Sequence, residues 1–354
     1  MNRRAFLQAA CVIPSGLAFS KPDEHWRRFA VTTSVEVLKP VGATRVWVPT
    51  ALGKETPFQK ASKNSFVCKG GSGKTFENMI AADFPAGVRP LLEVRSEVAT
   101  RNWEVNLTAP AGEARQGNPA ALREFLRPAK MMPTDGIVKQ KATEITQGAK
   151  TDIDKARAIY EWIVENTYRN PKTRGCGRGD IRFMLESGDL GGKCADLNAL
   201  YVGLARAAGL PARDVYGIRV AKSELGYKSL GPATEIVTKA QHCRAEVYLR
   251  EYGWVPVDPA DVRKVMLEEA PGNRGFDDAM VKAARARLFG AWEMNWMAYN
   301  YAQDVTLPGS SGEAVHFLMY PQAETSEGRL DSLDADGFRY EINAREIAPH
   351  SATV

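Results

Sequence analysis

The spacing of apolar residues changes near residue 120, and this change limits the folds open to the chain. Residues 29–107 contain β-branched segments that partly alternate apolar and polar residues, separated by turns with glycine and proline, which is typical of antiparallel strands. From about 120 to 208 apolar residues recur at helical spacing, and strand-like segments follow to about 257. This order excludes the regular strand–helix alternation of a doubly wound sheet. The sequence therefore predicts an α+β protein with a small N-terminal β domain.

The composition indicates a globular protein with more than one domain. The chain has 354 residues, and its 44% hydrophobic content excludes a disordered chain. The 47 basic and 42 acidic residues are interspersed, so no basic patch indicates nucleic-acid binding. We place the N-terminal β domain at 21–118, a second domain at 119–262 and a C-terminal extension at 263–354. An aromatic cluster at 292–301 is predicted to be core.

The first twenty residues, MNRRAFLQAACVIPSGLAFS, resemble a twin-arginine export signal. Arg3 and Arg4 precede a weakly apolar run that is too short to span a bilayer core of roughly 30 Å. The small residues Ala18 and Ser20 suit cleavage before Lys21. We therefore expect a periplasmic protein with no integral membrane segment in its mature form. The alternative is a basic N-terminus with no role in export.

Cys194 follows two glycines and opens a strongly helical stretch that Gly209 stops. In the first helical turn, unpaired backbone N–H groups and the positive end of the helix dipole favour a thiolate. Such surroundings can lower a cysteine pKa to roughly 3.5–7.5. The backbone N–H of Cys194 is also suited to an oxyanion hole. Cys194 is a candidate nucleophile, and the alternative is a buried structural cysteine.

His242 opens a strand-like segment, and a second one follows after the turn Glu251-Tyr-Gly253. Antiparallel pairing about a turn near residue 250 would bring residues 258–261 beside His242, since paired strands lie roughly 5 Å apart. Asp258, or as second choice Asp261, is then expected to orient the imidazole. With Cys194, these residues would form a Cys–His–Asp triad.

Three segments resemble the signature blocks of the transglutaminase-like superfamily: GGKCADLNALYVGLARAAGLPAR, HCRAEVYL and YGWVPVDP. The resemblance covers residues 150–262 strongly and says little about either end. It implies a papain-like α+β core, in which the nucleophile helix packs on an antiparallel sheet, and acyl-transfer chemistry on amides. By position it implies Cys194 as nucleophile, His242 as general base and Asp258 as its orienting carboxylate.

This resemblance leads to a functional expectation. The thiolate would attack a protein or peptide amide, and an amine or water would resolve the thioester, which covers cross-linking, deamidation and proteolysis. Family members commonly take the second oxyanion donor from upstream of the nucleophile, which makes Tyr168 a candidate. The alternatives are a cysteine peptidase of the same fold acting on periplasmic peptides, and a binding or assembly module without turnover. No cofactor is expected.

Two further cysteines lie near these blocks. Cys243 adjoins His242, so strand alternation predicts that it points to the opposite face, as a core residue. Cys176 lies in a basic, glycine-rich loop whose composition predicts exposure. It would be able to form a disulfide with Cys194 or Cys243 that gates activity, or have no function. A zinc site from Cys194, His242, Cys243 and Asp258 is disfavoured by the same alternation, and no metal is predicted.

Overall fold

The computed structural model of the protein describes residues 25–109 and 118–347. The export signal expected at 1–20 lies outside the described residues. Within the described ranges, no helix is long and apolar enough to cross a membrane. Strands come first, helices follow, and further strands occupy the second half of the chain. The α+β prediction is confirmed.

The N-terminal part of the chain contains only strands, as predicted. The two long strands at Arg27–Val37 and Leu91–Thr100 largely bury alternate residues, which is the pattern of a sheet with one face on a core. The strands are β1 (Arg27–Val37), β2 (Thr44–Pro49), β3 (Gln59–Lys69), β4 (Ser72–Thr75), β5 (Met79–Phe84), β6 (Leu91–Thr100) and β7 (Trp103–Glu104).

The helices fill the middle of the chain. Most follow an Asn, Asp or Thr residue whose side chain can satisfy the first free N–H groups. The helices are α1 (Pro119–Glu124), α2 (Gly136–Ile145), α3 (Asp152–Asn166), α4 (Ile181–Ser187), α5 (Cys194–Ala207), α6 (Pro259–Glu268) and α7 (Ala279–Arg287), with a 3-10 turn at Lys228–Leu230.

The remaining strands lie between and after these helices. They are β8 (Tyr168–Arg169), β9 (Gly191–Gly192), β10 (Ala212–Arg219), β11 (Gln241–Leu249), β12 (Gly253–Val257), β13 (Ala291–Trp292), β14 (Trp296–Asn300), β15 (Gln303–Val305), β16 (Val315–Phe317), β17 (Gln322–Thr325), β18 (Gly328–Arg329) and β19 (Phe338–Ile347).

A central helix on an antiparallel sheet forms the core of the second half. The sheet has the strand order β12-β11-β10-β14, and every residue of α5 is buried. Apolar residues of α5, of the neighbouring helices and of one sheet face share a single cluster. A helix buried on all sides needs apolar neighbours around its whole circumference, and the sheet and the other helices supply them. The predicted packing of the nucleophile helix on an antiparallel sheet is confirmed.

In the predicted hairpin of β11 and β12, the register places the candidate acid near His242. Ala245 pairs with Val257 and Leu249 with Gly253. The next position after Val257 is therefore opposite Arg244, two residues along the strand from His242. This register carries the acidic residues that follow β12 to the start of β11.

The C-terminal strands complete the N-terminal sheets. Their orders are β19-β1-β6-β3 and β18-β17-β2-β5-β4, and apolar residues of both sheets share one cluster, as in a β-sandwich. Strand β19 pairs with β1 from Arg28 opposite Ile347 to Val37 opposite Phe338. The expected extension at 263–354 thus contributes strands to the sandwich and, through β14, to the central sheet. The residues that β19 and β1 pair lie some 300 positions apart in the sequence, and local patterns do not encode such pairings. The domain boundaries stay predictions.

The aromatic cluster is core, as expected. Trp292 and Trp296 are buried and contact Phe58 and Trp103 of the N-terminal part. Strand β13 also pairs with β7. The cluster therefore joins the sandwich to the central sheet.

Candidate active site

Cys194 is the first residue of α5 and is only 4% exposed. The Asp196 carboxylate holds this helix start by accepting a hydrogen bond from the Lys193 N–H at 3.0 Å. Its other oxygen accepts from the N–H groups of Arg178 and Gly179, each at 2.9 Å. These bonds tie the glycine-rich loop to the first turn of α5, next to the thiol.

The same loop is shaped by a glycine at its centre. Gly177 has a φ of +101°, and a Cβ there would lie 1.8 Å from Asp196 Oδ2. The Ala195 N–H donates to the Cys176 carbonyl at 2.9 Å, which bonds helix and loop through the backbone as well. The Cys194 N–H has no acceptor among residues 25–109 and 118–347. It is therefore available to a substrate oxygen.

His242 and Asp258 form a buried hydrogen-bonded pair. His242 Nε2 lies 2.7 Å from Asp258 Oδ2. Asp258 caps α6, where its Oδ1 accepts the Asp261 N–H at 3.1 Å, and Asn198 on α5 donates to the same oxygen at 3.2 Å. Because Asp258 occupies Nε2, Nδ1 is the ring nitrogen left to exchange a proton with Cys194.

Asp261, the second choice for the orienting acid, has another partner. Its Oδ2 lies 3.5 Å from His242 Nε2, which is farther than Asp258. Arg219 on β10 donates to both Asp261 oxygens, at 2.6 and 2.7 Å. Both bonds come from one nitrogen, Nη2, and such charge-assisted hydrogen bonds are stronger than those between neutral groups. Asp258 is thus the closer acid, and Asp261 holds the guanidinium of Arg219.

Hydrogen bonds from neighbouring thiols lower the pKa of Cys194 well below its usual value. The Cys176 thiol has the largest effect, and Cys243 and His242 add to it against the opposing effect of burial. In return, the hydrogen bond to Cys194 raises the pKa of Cys176, and burial raises the pKa of Cys243. The two neighbours therefore stay protonated, and Cys194 is the thiolate of the group.

The charge network around His242 favours its protonated form. Burial and the Arg219 charge work against protonation, but Asp261 and Asp258 raise the pKa of His242 overall. A raised imidazole pKa beside a lowered thiol pKa favours a thiolate–imidazolium pair.

The expectation that Cys176 is exposed is wrong, because it is only 8% exposed. Its N–H donates to the Tyr320 hydroxyl at 2.9 Å, and its Sγ lies 3.3 Å from the Gln241 carbonyl oxygen. Tyr320 comes from the C-terminal region, so the composition of the loop does not reveal this contact. Cys243 is fully buried, as predicted for a core residue, but the expectation that it points away from the site is wrong, because its thiol hydrogen-bonds with Cys194. All four described cysteines are free, and disulfide gating by Cys176 stays a prediction.

One group of potential metal ligands lies close together in the described part of the chain. It consists of His242, Asp258 and Asp261, whose ligand atoms lie within 4.8 Å of one another. Arg219 already binds both oxygens of Asp261, and Asp258 is bonded to His242. Hydrogen bonds and charge pairing thus account for this group. It does not include Cys243, which the disfavoured zinc site would require.

A cavity of about 230 Å³ opens over Cys194 and His242. Pockets for drug-sized ligands have roughly 300–1,000 Å³, so only a short part of a substrate fits here. Gln241 also lines this cavity. Tyr168 does not: its hydroxyl donates to Asp189 at 2.8 Å, and the residue is 45% exposed.

Comparisons with known proteins identify the family of this chain. The family model of the transglutaminase-like superfamily matches residues 139–259. An uncharacterized protein from Haemophilus influenzae is 34% identical over 347 residues, which cover 92% of each chain. The chain belongs to the transglutaminase-like superfamily.

One solved structure shows that this transglutaminase-like chain shares a known fold. A protein from Cytophaga hutchinsonii, provisionally described as a cysteine protease, has a TM-score of 0.55 and 13% identity, covering 92% of each chain. The periplasmic domain of TgpA from Pseudomonas aeruginosa has a TM-score of 0.32 and 16% identity, covering 63% of this chain and 90% of that one.

The structure of this transglutaminase-like protein brings the three predicted triad residues to one site. It also shows neighbouring residues that hold the site in place and that sequence reasoning missed. Asn198 lies four residues after Cys194, so the two share a helix face, and this spacing was an available signal. Asp196 was also detectable, as an acidic residue in the first helical turn. Arg219 stands in no motif, and only the pairing of β10 with β11 puts it beside the acids.

At pH 6, iodoacetamide is expected to alkylate Cys194 before the other described cysteines. A lowered pKa preserves the thiolate of Cys194 at acidic pH, whereas the raised pKa values of Cys68, Cys176 and Cys243 keep those thiols protonated. Peptide mapping by mass spectrometry over a series from pH 5 to pH 9 measures each rate. Labelling of Cys194 that rises only above about pH 8, like an ordinary thiol, would contradict the lowered pKa.

Proposed function

We propose that this protein is a cysteine enzyme that transfers or hydrolyses the acyl group of protein or peptide amides through a thioester on Cys194. The proposal is carried by one observation: a helix-start thiol with a lowered pKa shares a cavity with an imidazole held 2.7 Å from a buried aspartate. This combination supplies a nucleophile, a general acid–base and its orienting group.

The proposed reaction has two steps. The Cys194 thiolate attacks the amide carbonyl, and the His242 imidazolium gives its proton to the departing amine or ammonia. Breaking the C–N bond leaves a thioester on sulfur and a neutral imidazole. An incoming amine or water then attacks the thioester carbonyl and gives its proton to His242. The C–S bond breaks, which releases the acyl product and restores the thiolate–imidazolium pair. Asp258 keeps the ring in position throughout.

The oxyanion of the tetrahedral intermediate needs donors, and the Cys194 N–H is the first. Each such donor is typically worth around 3 kcal/mol. For the second, Tyr168 stays a prediction, and it would require the hydroxyl to leave Asp189. Gln241 is a further candidate, because its buried Nε2 has no acceptor among the described residues and the residue lines the cavity.

A Gln241→Ala variant is expected to lose about 10²–10³-fold in kcat if Gln241 is the second donor. A Tyr168→Phe variant, which removes only the hydroxyl, is expected to change kcat little. Steady-state kinetics of both variants on one amide substrate compare them directly. The opposite pattern would assign the role to Tyr168, as the resemblance suggested.

The choice between cross-linking, deamidation and proteolysis depends on which nucleophile reaches the thioester. Peptide hydrolysis is the activity in the provisional description of the Cytophaga hutchinsonii protein, whose fold this chain shares. The experiment is an assay of glutamine-containing peptides with and without a primary amine. It measures amine incorporation, ammonia release and backbone cleavage in parallel, and thiol blocking should abolish whichever occurs. Turnover that survives complete alkylation of Cys194 would overturn the proposal.

We also propose that the protein acts in the periplasm after export by the twin-arginine route. This rests on residues 1–20 and their paired arginines. Its substrate would then be a protein or peptide of that compartment.

A further inference from the structure

We propose that the cavity over Cys194 binds an acyl group that carries a carboxylate within a few bonds of the reacting carbonyl. The substrate would be an acidic peptide, with the carboxylate supplied either by a side chain or by a chain end. This inference rests on the proposed function and narrows its substrate class.

The cavity wall carries positive charges and no carboxylate. Five cationic side chains line it, whereas no Asp or Glu residue does. The five are Arg169, Lys193, Arg219, Lys239 and Lys264. A small cavity with walls of one charge sign concentrates ligands of the opposite sign.

Most of this charge is not balanced within the described chain. The positive charge of Arg219 is paired with the Asp261 carboxylate. Arg169 and Lys264 both pair with a single carboxylate, that of Glu268. Two carboxylates therefore face the five cations, which leaves an excess of three positive charges at the cavity.

Lys193 and Lys239 carry two of these charges without a counterion. Neither forms an ion pair with any residue in 25–109 or 118–347. Lys193 directly precedes Cys194, and Lys239 is an exposed residue three positions before His242. The two cations thus flank the nucleophile and the base along the chain, at the wall that an acyl group must pass.

The positive potential also acts on the cations themselves. Burial lowers the pKa of Lys264, and the charge of Arg169 lowers it further. Deeper in the site, Asp258 faces both His242 and Arg244, with Arg244 Nε 3.8 Å away, so its charge is already shared between two cations. A substrate carboxylate would supply the anion that the outer wall lacks.

Two alkylating reagents of similar size, one neutral and one anionic, test whether the cavity attracts a carboxylate, and they do so without knowledge of the substrate. A positive potential that only stabilises the thiolate speeds the reaction with neutral iodoacetamide and anionic iodoacetate alike. A site that attracts carboxylates speeds iodoacetate selectively. The rate ratio of iodoacetate to iodoacetamide at Cys194, relative to the same ratio for free 2-mercaptoethanol, therefore isolates the proposed site.

We expect this relative ratio to be at least about 10 at low salt and to fall towards 1 in 1 M salt, where the screening length is about 3 Å. The double variant Lys193→Gln and Lys239→Gln should lower it several-fold. The matched control is Lys54→Gln with Lys63→Gln, which removes two exposed lysines of the N-terminal domain and should leave the ratio unchanged. A wild-type ratio near 1, or one that the cavity variant does not change, would overturn the inference.

The same experiment separates this inference from the proposed function. Fast alkylation of Cys194 at pH 6 with a relative ratio of 1 leaves the nucleophile intact and refutes the carboxylate site. Slow alkylation by both reagents would overturn the proposed function and this inference with it.

Protection from iodoacetamide identifies the source of the carboxylate. Acetyl-glutamate amide offers a side-chain carboxylate and acetyl-alanine a terminal one, and protection of Cys194 by either supports the site. Protection by neither, at concentrations up to 0.1 M, would contradict it.

Discussion

A Cys194→Ala variant is expected to lose turnover of every amide substrate that the wild-type protein processes, a fall on the order of 10⁶-fold in kcat. Removal of a covalent nucleophile costs about this much in enzymes where nucleophile and base act as a unit. Neither neighbouring thiol can replace it, because the raised pKa values of Cys176 and Cys243 keep both protonated. The measurement is the three-readout peptide assay, with thermal unfolding to verify the fold.

The matched control is Cys68→Ala, which removes a cysteine of β3 in the N-terminal sandwich. It should leave turnover unchanged, since Cys68 does not line the cavity. Residual activity of Cys194→Ala within 10-fold of wild type would remove the thioester from the mechanism.

An Asp258→Asn variant is expected to lower kcat/KM by about 10³–10⁴-fold while leaving the fold intact. Asparagine keeps the shape and is a good N-cap for α6, but it cannot stabilise an imidazolium or fix the same tautomer. The carboxylate also helps to raise the pKa of His242. Its loss lowers that pKa, so the imidazolium disappears at a lower pH and the alkaline limb of the pH–rate profile should move down.

Asp261→Asn provides the comparison, because it changes the other nearby acid. It leaves the Arg219 guanidinium buried without its bidentate partner, and breaking such a pair costs about 3–5 kcal/mol. Its main effect should therefore appear in the free energy of unfolding, measured with denaturant. If Asp261→Asn abolished activity and Asp258→Asn did not, the two acids would exchange roles.

The candidate site was predictable because each triad residue lies at the end of a local element. Cys194 follows a glycine pair and precedes a continuous helical pattern, while His242 and Asp258 flank a hairpin whose turn is visible in the sequence. Helical spacing, alternation and reflection through a turn depend on a few neighbouring residues. Such signals are enough to place three side chains along the chain and to suggest that two of them meet.

The remaining features depend on contacts between distant segments. The burial of Cys176 needs Tyr320, which lies 144 positions away. Arg219 reaches Asp261, which lies 42 positions away, only because β10 pairs with β11. The paired residues of β19 and β1 are separated by even more positions in the sequence. Pairing over such distances is decided by packing of the whole chain, and no short stretch of the sequence predicts it.

The pairing of β19 with β1 also bears on when a newly made chain can complete its fold and its site. Until residues 338–347 have left the ribosome, β1 has a partner on one side only, and the first-made sheet keeps an open edge. Tyr320, which anchors the wall beside the thiol, emerges almost as late. A protein assembled in this way acquires its reactive sulfur environment only after residues 320–347 have been made, so chains that lack them carry cysteines without the surroundings that would activate them.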